Sequence, residues 1–230
     1  AGDVACLIAE PIQGVAGFVV PPDGLLGAFK EVLDEYGILY VADEVQTGWG
    51  RTGRHFWGYQ AHDAIPDMLT FAKGLGNGLA LGGVVGRGDL IDSVTANSIS
   101  TFGGNPVATA GGLANLEYLL SHDLQANALA RGEQLFSHLE RSANLAMVGE
   151  IRGRGLMAAV ELVKPGTREG DAAAASAVLE ATRTRGLLIG RGGLGGNVLR
   201  ISPPLSVTAE EVERAASILE EALAEVDAGS

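Results

Sequence analysis

Short runs of wholly apolar residues alternate with an amphipathic segment in the first ninety residues, and this alternation restricts the fold more than any other feature. Strands that are apolar throughout are typical of parallel sheets covered on both faces. Leu25, Phe29, Val32 and Tyr36 recur at helical spacing between the first two runs. The pattern predicts an α/β fold. The four predicted strands are Val4–Ala9, Ile38–Glu44, Asp67–Lys73 and Leu81–Gly86.

The second half of the chain has a different pattern of predicted helices and strands, which indicates a smaller α+β domain. We place the boundary near residue 119, which gives domains of 1–118 and 119–230. Thr208 and Glu211 form a capping box at the start of the last helix. The other elements predicted beyond Asn105 are helices to about Leu120, over Leu124–Arg141 and over Asp171–Arg185, a strand–turn–strand around Gly153–Gly155, and short strands at GLLIG and VLRI.

Composition excludes several classes of function. The 230 residues carry a formal net charge of −12, which disfavours nucleic acid or an anionic membrane as the main partner. Cys6 is the single cysteine, and the four histidines lack metal-site spacing, so no metal is predicted. One cysteine and no signal-peptide pattern favour the cytoplasm, or the mitochondrial matrix if a targeting peptide preceded Ala1.

Two ionisable residues lie at the carboxyl ends of predicted strands of the first sheet. Asp43 comes after ILYVA and Lys73 after MLTFA. In parallel α/β sheets, ligands bind beyond the carboxyl ends of the strands. An acid and an amine in these positions could form a structural ion pair or hold a cofactor between them. A lysine and an acid are what pyridoxal-phosphate enzymes require, the lysine to bond the cofactor and the acid to keep its ring nitrogen protonated.

Five motifs extend this observation over nearly the whole chain. They occur in the order IAEPIQGVAG, YVADEVQTGWGRTG, FAKGLGNG, STFGGNP and VLRISPPL. Together they resemble the class III (subgroup II) pyridoxal-phosphate-dependent aminotransferases, enzymes of fold-type I. IQGV, HFWGYQAHD and LLIGRGG look most like the alanine–glyoxylate aminotransferase 2-like branch. The resemblance runs from Ala5 to about Val226, so the chain looks like the C-terminal half of the large domain followed by the small domain.

The resemblance implies a role for each matching residue. Lys73 would be the Schiff-base lysine, and Asp43 would pair with the pyridine nitrogen. Val45 would pack on one face of the cofactor ring, and Gln46 would hydrogen-bond its phenolic oxygen. Glu44 and Gln13 would lie nearby, without a defined role.

Two further residues are implied by the same resemblance. Thr101, in STFGGNP, would bind the cofactor phosphate of the neighbouring subunit, so a homodimer is expected. Arg200, in VLRISPPL, would bind the substrate carboxylate through its bidentate guanidinium. The residues alone leave other readings open: Thr101 could cap a turn, and Arg200 could be a surface arginine.

The sequence departs from the family in length and at one specificity position. Members run to roughly twice this length, and the part before Ala1 would supply the main phosphate-binding turn and half of the large domain. We therefore expect an open sheet edge, exposed apolar surface and no competent active site in this chain alone. The 4-aminobutyrate branch commonly has glutamate at the position of Val15, where it can neutralise the carboxylate-binding arginine. Valine here favours α-carboxylate substrates.

The predicted function is transfer of an amino group between a small amino acid, alanine or a β-amino acid, and a 2-oxo acid such as glyoxylate or pyruvate. Other readings stay open. They are a 4-aminobutyrate, ω-amino acid or ornithine-type aminotransferase, a related aminomutase, decarboxylase or epimerase, and a non-catalytic truncated subunit that pairs with another chain. GLGNG and GRGGLGG lack the strand–GxGxxG–helix context of a nucleotide-binding loop and are predicted to be turns.

Overall fold

A computed structural model describes residues 2–229, and the chain forms two compact units. The first unit comprises residues 2–11, 21–50 and 55–124 of those described, and the second comprises 12–20, 51–54 and 125–229. Within residues 2–229, no helix combines the length and the apolar character needed to cross a membrane.

The first unit contains a four-stranded sheet of strand order β1-β2-β3-β4. The first three strands are parallel, and β4 runs antiparallel to β3. The α/β class is therefore confirmed. The strands are β1 (Cys6–Ala9), β2 (Leu39–Asp43), β3 (Met68–Phe71) and β4 (Gly83–Gly86), and the helices are α1 (Leu25–Glu35), α2 (Gly88–Ile91) and α3 (Pro106–Ser121), with 3-10 turns at Gly58–His62 and Lys73–Leu75.

One face of this sheet is packed and the other is partly open. Leu26 and Leu33 of α1 pack against Tyr40 and Ala42 of β2, and Leu69 of β3 joins the same cluster. On the opposite face, two strand side chains are largely exposed: Ile8 by 58% and Val84 by 54%. This exposure agrees with the exposed apolar surface that the sequence predicted for this chain alone. An apolar strand indicates that both of its faces are buried, but it does not identify the segment that covers each face.

A buried aspartate just before β3 contacts β2, the residue after β4 and α1. Asp67 is 8% exposed, accepts hydrogen bonds from Tyr40 N (2.9 Å) and Arg87 Nη1 (2.8 Å), and lies 3.9 Å from Lys30 Nζ. Burial alone would raise the pKa of Asp67. The hydrogen bonds from Tyr40 and Arg87 and the charges of Lys30 and Arg87 outweigh burial, so the net pKa is lowered.

We expect Asp67→Asn to destabilise the protein by about 1–2 kcal/mol at pH 7, because charged hydrogen bonds are replaced by neutral ones. The loss stays small because Arg87 is half exposed and solvent screens its charge. A carboxylate with a lowered folded-state pKa stabilises the fold above its unfolded pKa, about 3.9, and loses that contribution as the pH falls through the folded value. The difference between wild type and Asp67→Asn should therefore shrink below about pH 4. Urea unfolding from pH 7 to pH 3 measures this stability difference. A difference independent of pH would contradict the lowered pKa of Asp67.

The second unit contains an antiparallel sheet of order β5-β6-β8-β7. Its core includes fully buried Leu156, Val160 and Leu199 of the sheet region and Leu219 of the last helix. The predicted hairpin and the capping box of Thr208 with Glu211 are both present. The strands are β5 (Val148–Arg154), β6 (Met157–Leu162), β7 (Gly190–Gly192) and β8 (Val198–Ile201), and the helices are α4 (Leu124–Leu139), α5 (Ala172–Thr184) and α6 (Ala209–Ala228), with a 3-10 turn at Glu140–Ser142.

The strand predicted at GLLIG is wrong in its position. Gly186 adopts a left-handed φ of 85°, and Leu187 N donates to Thr182 O, so the end of α5 uses this segment. Leu188 is 82% exposed, and strand pairing begins only at Gly190. The apolar run was misleading because two of its residues terminate a helix.

Candidate active site

Asp43 is the last residue of β2 and its side chain is only partly buried. Its Oδ1 accepts hydrogen bonds from Val45 N (3.1 Å) and Thr70 Oγ1 (3.4 Å). Thr70 lies opposite Asp43 in the parallel register of β2 and β3. Among the described residues, Oδ2 has no hydrogen-bond partner. The carboxylate is therefore oriented through one oxygen and keeps the other as an acceptor.

Lys73 follows β3, with Ala72 between it and the strand. Its backbone is left-handed, with φ of 42°, and starts the 3-10 turn Lys73–Leu75. The side chain is exposed. Over residues 2–229, its amine makes no hydrogen bond or ion pair, so the structural ion pair with Asp43 that the sequence allowed is not formed.

The loop that carries Lys73 is held from α3. Asn115 Nδ2 donates to Gly74 O (2.8 Å) and Leu75 O (3.1 Å). Gly76 N donates to Lys73 O, and a Cβ added at Gly76 would lie 2.0 Å from Leu79 O. GLGNG is thus a tight turn that needs glycine at Gly76, and Asn115 fixes it. No local pattern pointed to Asn115, because its partners are backbone carbonyls about forty residues away.

Glu44 is fully buried and anchors the turn that presents Val45 and Gln46. Its Oε2 accepts from Thr47 Oγ1 (2.6 Å) and Gly58 N (2.9 Å), and its Oε1 accepts from Tyr59 N (2.7 Å).

Burial raises the pKa of Glu44. Hydrogen bonds from Thr47, Tyr59 and Gly58 oppose that rise, and the charge of Asp43 adds to it. Glu44 has a structural role, because its carboxylate joins the turn after β2 to the 3-10 turn Gly58–His62. The sequence placed Glu44 near the site without a role, and the buried acceptor explains why an acid stands there.

An aromatic cluster lies beside the lysine loop. Trp49 contacts Phe56, Trp57 and Phe71, with ring centroids 5.9, 4.7 and 5.4 Å away. A Cβ added at Gly74 would lie 3.8 Å from Trp49 Cδ1. Trp49 and Trp57 are the only two tryptophans of the chain. Their fluorescence therefore reports on the surroundings of Lys73.

Thr101 lies in an exposed segment between α2 and α3. All of residues 91–104 are exposed, including Ile99 at 96% and Phe102 at 81%. Asn105 caps α3 by accepting from Ala108 N. The predicted contact of Thr101 with a neighbouring subunit stays a prediction.

Arg200 belongs to the second unit, whereas Asp43, Val45, Gln46, Lys73 and Thr101 belong to the first. Arg200 is the third residue of β8, opposite Ala159 of β6 and Gly190 of β7. Its guanidinium Cζ lies 4.4 Å from the centre of the Phe18 ring. The two side chains line a groove of about 890 Å³ together with apolar residues such as Leu187, Ile189 and Val207. The sequence predicted Arg200 as a site residue and missed Phe18.

Comparison with known proteins identifies the family. The profile of the class III aminotransferases matches residues 1–223. The alanine/serine racemase of Pyrococcus horikoshii is 42% identical over 222 residues, which cover 96% of this chain and 46% of that protein. The mitochondrial alanine–glyoxylate aminotransferase 2 homolog 2 of Arabidopsis thaliana is 42% identical over 215 residues, covering 92% of this chain and 45% of the relative.

The fold is likewise shared with a solved structure. Ornithine aminotransferase from Toxoplasma gondii superposes with a TM-score of 0.90 at 33% identity, covering 99% of this chain and 52% of that one, and it holds pyridoxal phosphate at partial occupancy in its active site. The chain belongs to the class III aminotransferase family, and its fold is that of the fold-type I pyridoxal-phosphate-dependent transferases. The resemblance to the alanine–glyoxylate branch is confirmed. The chain spans about half the length of the curated relatives it matches.

Proposed function

We propose that this chain carries the catalytic lysine and the small domain of a pyridoxal-phosphate-dependent aminotransferase. The reaction moves an amino group between a small amino acid, alanine or a β-amino acid, and a 2-oxo acid such as glyoxylate or pyruvate. One observation carries the proposal. Asp43 and Lys73 lie at the carboxyl ends of adjacent parallel strands, and within the described residues they do not neutralise each other.

The residues of the first unit fit the cofactor of this family. Asp43 Oδ2 is an acceptor without a partner among residues 2–229, as a protonated ring nitrogen requires, and the Lys73 amine is accessible. When bound, pyridoxal phosphate supplies an electron-withdrawing ring that stabilises negative charge at the substrate α-carbon. Asp43 holds the proton on the ring nitrogen, and Lys73 Nζ holds the cofactor and moves the proton at the α-carbon. Val45 would pack on the bound ring, and Gln46 would hydrogen-bond its phenolic oxygen.

Substrate recognition is assigned to Arg200. Its guanidinium binds the carboxylate shared by the amino acid and the oxo acid, for which a bidentate donor is suited. Val15 cannot neutralise Arg200, which supports α-carboxylate substrates over dedicated ω-amino acids.

The assembly is a homodimer in which Thr101 binds the cofactor phosphate of the neighbouring subunit. The exposure of residues 91–104, apolar Ile99 and Phe102 included, supports an interface there. Residues 1–118 correspond to half of a large domain and 119–230 to a small domain, and another polypeptide segment completes the site. A cytoplasmic or mitochondrial-matrix location stays a prediction.

A racemase is the second candidate. The alanine/serine racemase named above is as similar to this chain as the alanine–glyoxylate aminotransferase homolog is, and racemisation also removes a proton from the α-carbon. Incubation with L-alanine separates them. A racemase gives D-alanine without an oxo acid, whereas an aminotransferase gives pyruvate over many turnovers only when glyoxylate is present.

The first experiment is an absorption spectrum of the purified chain with added pyridoxal phosphate, followed by borohydride reduction and peptide mapping. Only three lysines compete, Lys30, Lys73 and Lys164. We expect labelling at Lys73 and quenching of the tryptophan fluorescence. If the chain alone fails to bind, the experiment is repeated with the N-terminal half of the Arabidopsis relative. Failure of both, or labelling spread over all three lysines, would refute the proposal.

Asp43→Asn should leave cofactor labelling at Lys73 intact and lower turnover about 10²-fold or more, because the amide cannot hold the ring nitrogen in its protonated state. Labelling and the rate of alanine–glyoxylate transamination are measured on the same preparation. Thr70→Val, which removes one hydrogen bond to Asp43, should cost much less. Equal turnover of Asp43→Asn and wild type would contradict the role.

A further inference from the structure

Residues 13–19 form a tight hairpin with a strained aromatic residue at its end. Gln13 N donates to Val19 O (3.0 Å), and Val19 N donates to Gln13 O (3.2 Å). Gly17 and Phe18 both have positive φ, 101° and 53°. That conformation is uncommon and costly for phenylalanine, and such strain persists only where the surrounding structure enforces it.

The 13–19 hairpin rests on the sheet of the second unit through its backbone. Arg152 Nε donates to Gly17 O (2.9 Å), and Gly193 N donates to Val15 O (3.0 Å). A Cβ added at Gly17 would lie 2.9 Å from Val198 Cγ2. The hairpin therefore approaches β8 as closely as glycine permits, and Phe18 is carried to a fixed place.

There the face of the Phe18 ring lies against the Arg200 guanidinium. Phe18 is 1% exposed, and its ring centre lies 4.4 Å from Arg200 Cζ. Gly192 accommodates the stem of the arginine, since a Cβ there would lie 2.6 Å from Arg200 Cδ. The negative face of an aromatic ring attracts the guanidinium cation and leaves its charge in place.

We propose that Phe18 is a positioning residue that holds the Arg200 guanidinium for α-carboxylate substrates; the inference rests on the proposed function. Arginine loses rotamer freedom when it binds a ligand, and a side chain already fixed loses less. A carboxylate could also fix the arginine, but it would compete with the substrate. Residues 12–20 contain no acid, so this segment orients the cation without neutralising it.

Phe18 is also a core residue, packed with Ile12, Met157, Ala159 and Val198. Truncation alone would therefore mix lost packing with lost orientation. Ring fluorination separates the two effects, because it changes the shape of the side chain little and progressively weakens the negative face of the ring.

The test replaces Phe18 by singly, doubly and triply ring-fluorinated phenylalanine in the holoenzyme. If this chain needs it for cofactor binding, the N-terminal half of the Arabidopsis relative is added. We expect the KM values of alanine and glyoxylate to rise stepwise, by about 3- to 10-fold in total, with little change in kcat. For α-methylbenzylamine, an amino donor without a carboxylate, KM should stay constant. The same series at Phe29, on α1, is the control. No trend, or an equal trend for both donors, would overturn the proposal.

A second measurement is independent of turnover. In nuclear magnetic resonance spectra, the Arg200 δ protons should be shifted upfield by the Phe18 ring and should lose that shift in Phe18→Leu but not in Phe29→Leu. Titration with pyruvate should give an affinity about 3- to 10-fold weaker for Phe18→Leu. An unshifted wild-type resonance or an equal affinity would overturn the inference. If wild type transaminates nothing, the proposed function fails while this measurement still decides the role of Phe18.

Discussion

Lys73→Ala should abolish covalent cofactor labelling and lower transamination by at least about 10³-fold, because one side chain supplies both the cofactor bond and the proton transfer. Stability should change by less than about 0.5 kcal/mol. The amine is exposed and has no partner among residues 2–229, and the turn around it is held by backbone bonds and by Asn115. Borohydride labelling, turnover and urea unfolding are measured together.

Lys164→Ala is the matched control for this prediction. Lys164 is exposed and pairs with Glu169 at the surface, so its loss should affect neither labelling nor turnover. Residual turnover by Lys73→Ala close to the wild-type rate would show that another group moves the proton, and the assignment of the catalytic lysine would be wrong.

Glu44→Ala should destabilise the protein by about 3 kcal/mol or more, because it leaves the buried N–H of Gly58, the partly buried N–H of Tyr59 and the hydroxyl of Thr47 without their acceptor. Glu44→Gln keeps one acceptor oxygen and should cost less, about 1–2 kcal/mol. The turn that presents Val45 and Gln46 should loosen in both variants, and cofactor affinity should fall in the same order. Urea unfolding and fluorescence titration with pyridoxal phosphate measure the two effects.

Glu31→Ala is the matched control, since Glu31 is an exposed glutamate of the same unit whose side chain makes no hydrogen bond in the described structure. Its stability should lie within about 0.5 kcal/mol of wild type. A Glu44→Ala variant as stable as Glu31→Ala would mean that water satisfies the three donors, and the anchoring role would fail.

The sequence by itself determined the elements whose signals are local. Continuous apolar runs predicted the four strands of the first sheet, and a threonine three residues before a glutamate predicted the start of α6. Asp43 and Lys73 could be found because each lies at the carboxyl end of a strand, and parallel strands direct their carboxyl ends to one edge. The five motifs then identified the family, because their order and spacing carry far more information than any single residue.

The tertiary structure decided what depends on partners distant in sequence. Glu44 reaches Gly58 and Tyr59, Asn115 holds the lysine loop, and Phe18 stacks on Arg200 from the opposite end of the chain. No periodicity or propensity encodes such pairings, because a buried acceptor or a stacked cation gains its energy only when the assembled fold excludes water around it. The amino-acid sequence therefore supplies the chemistry available to this protein, and the fold determines which groups orient it.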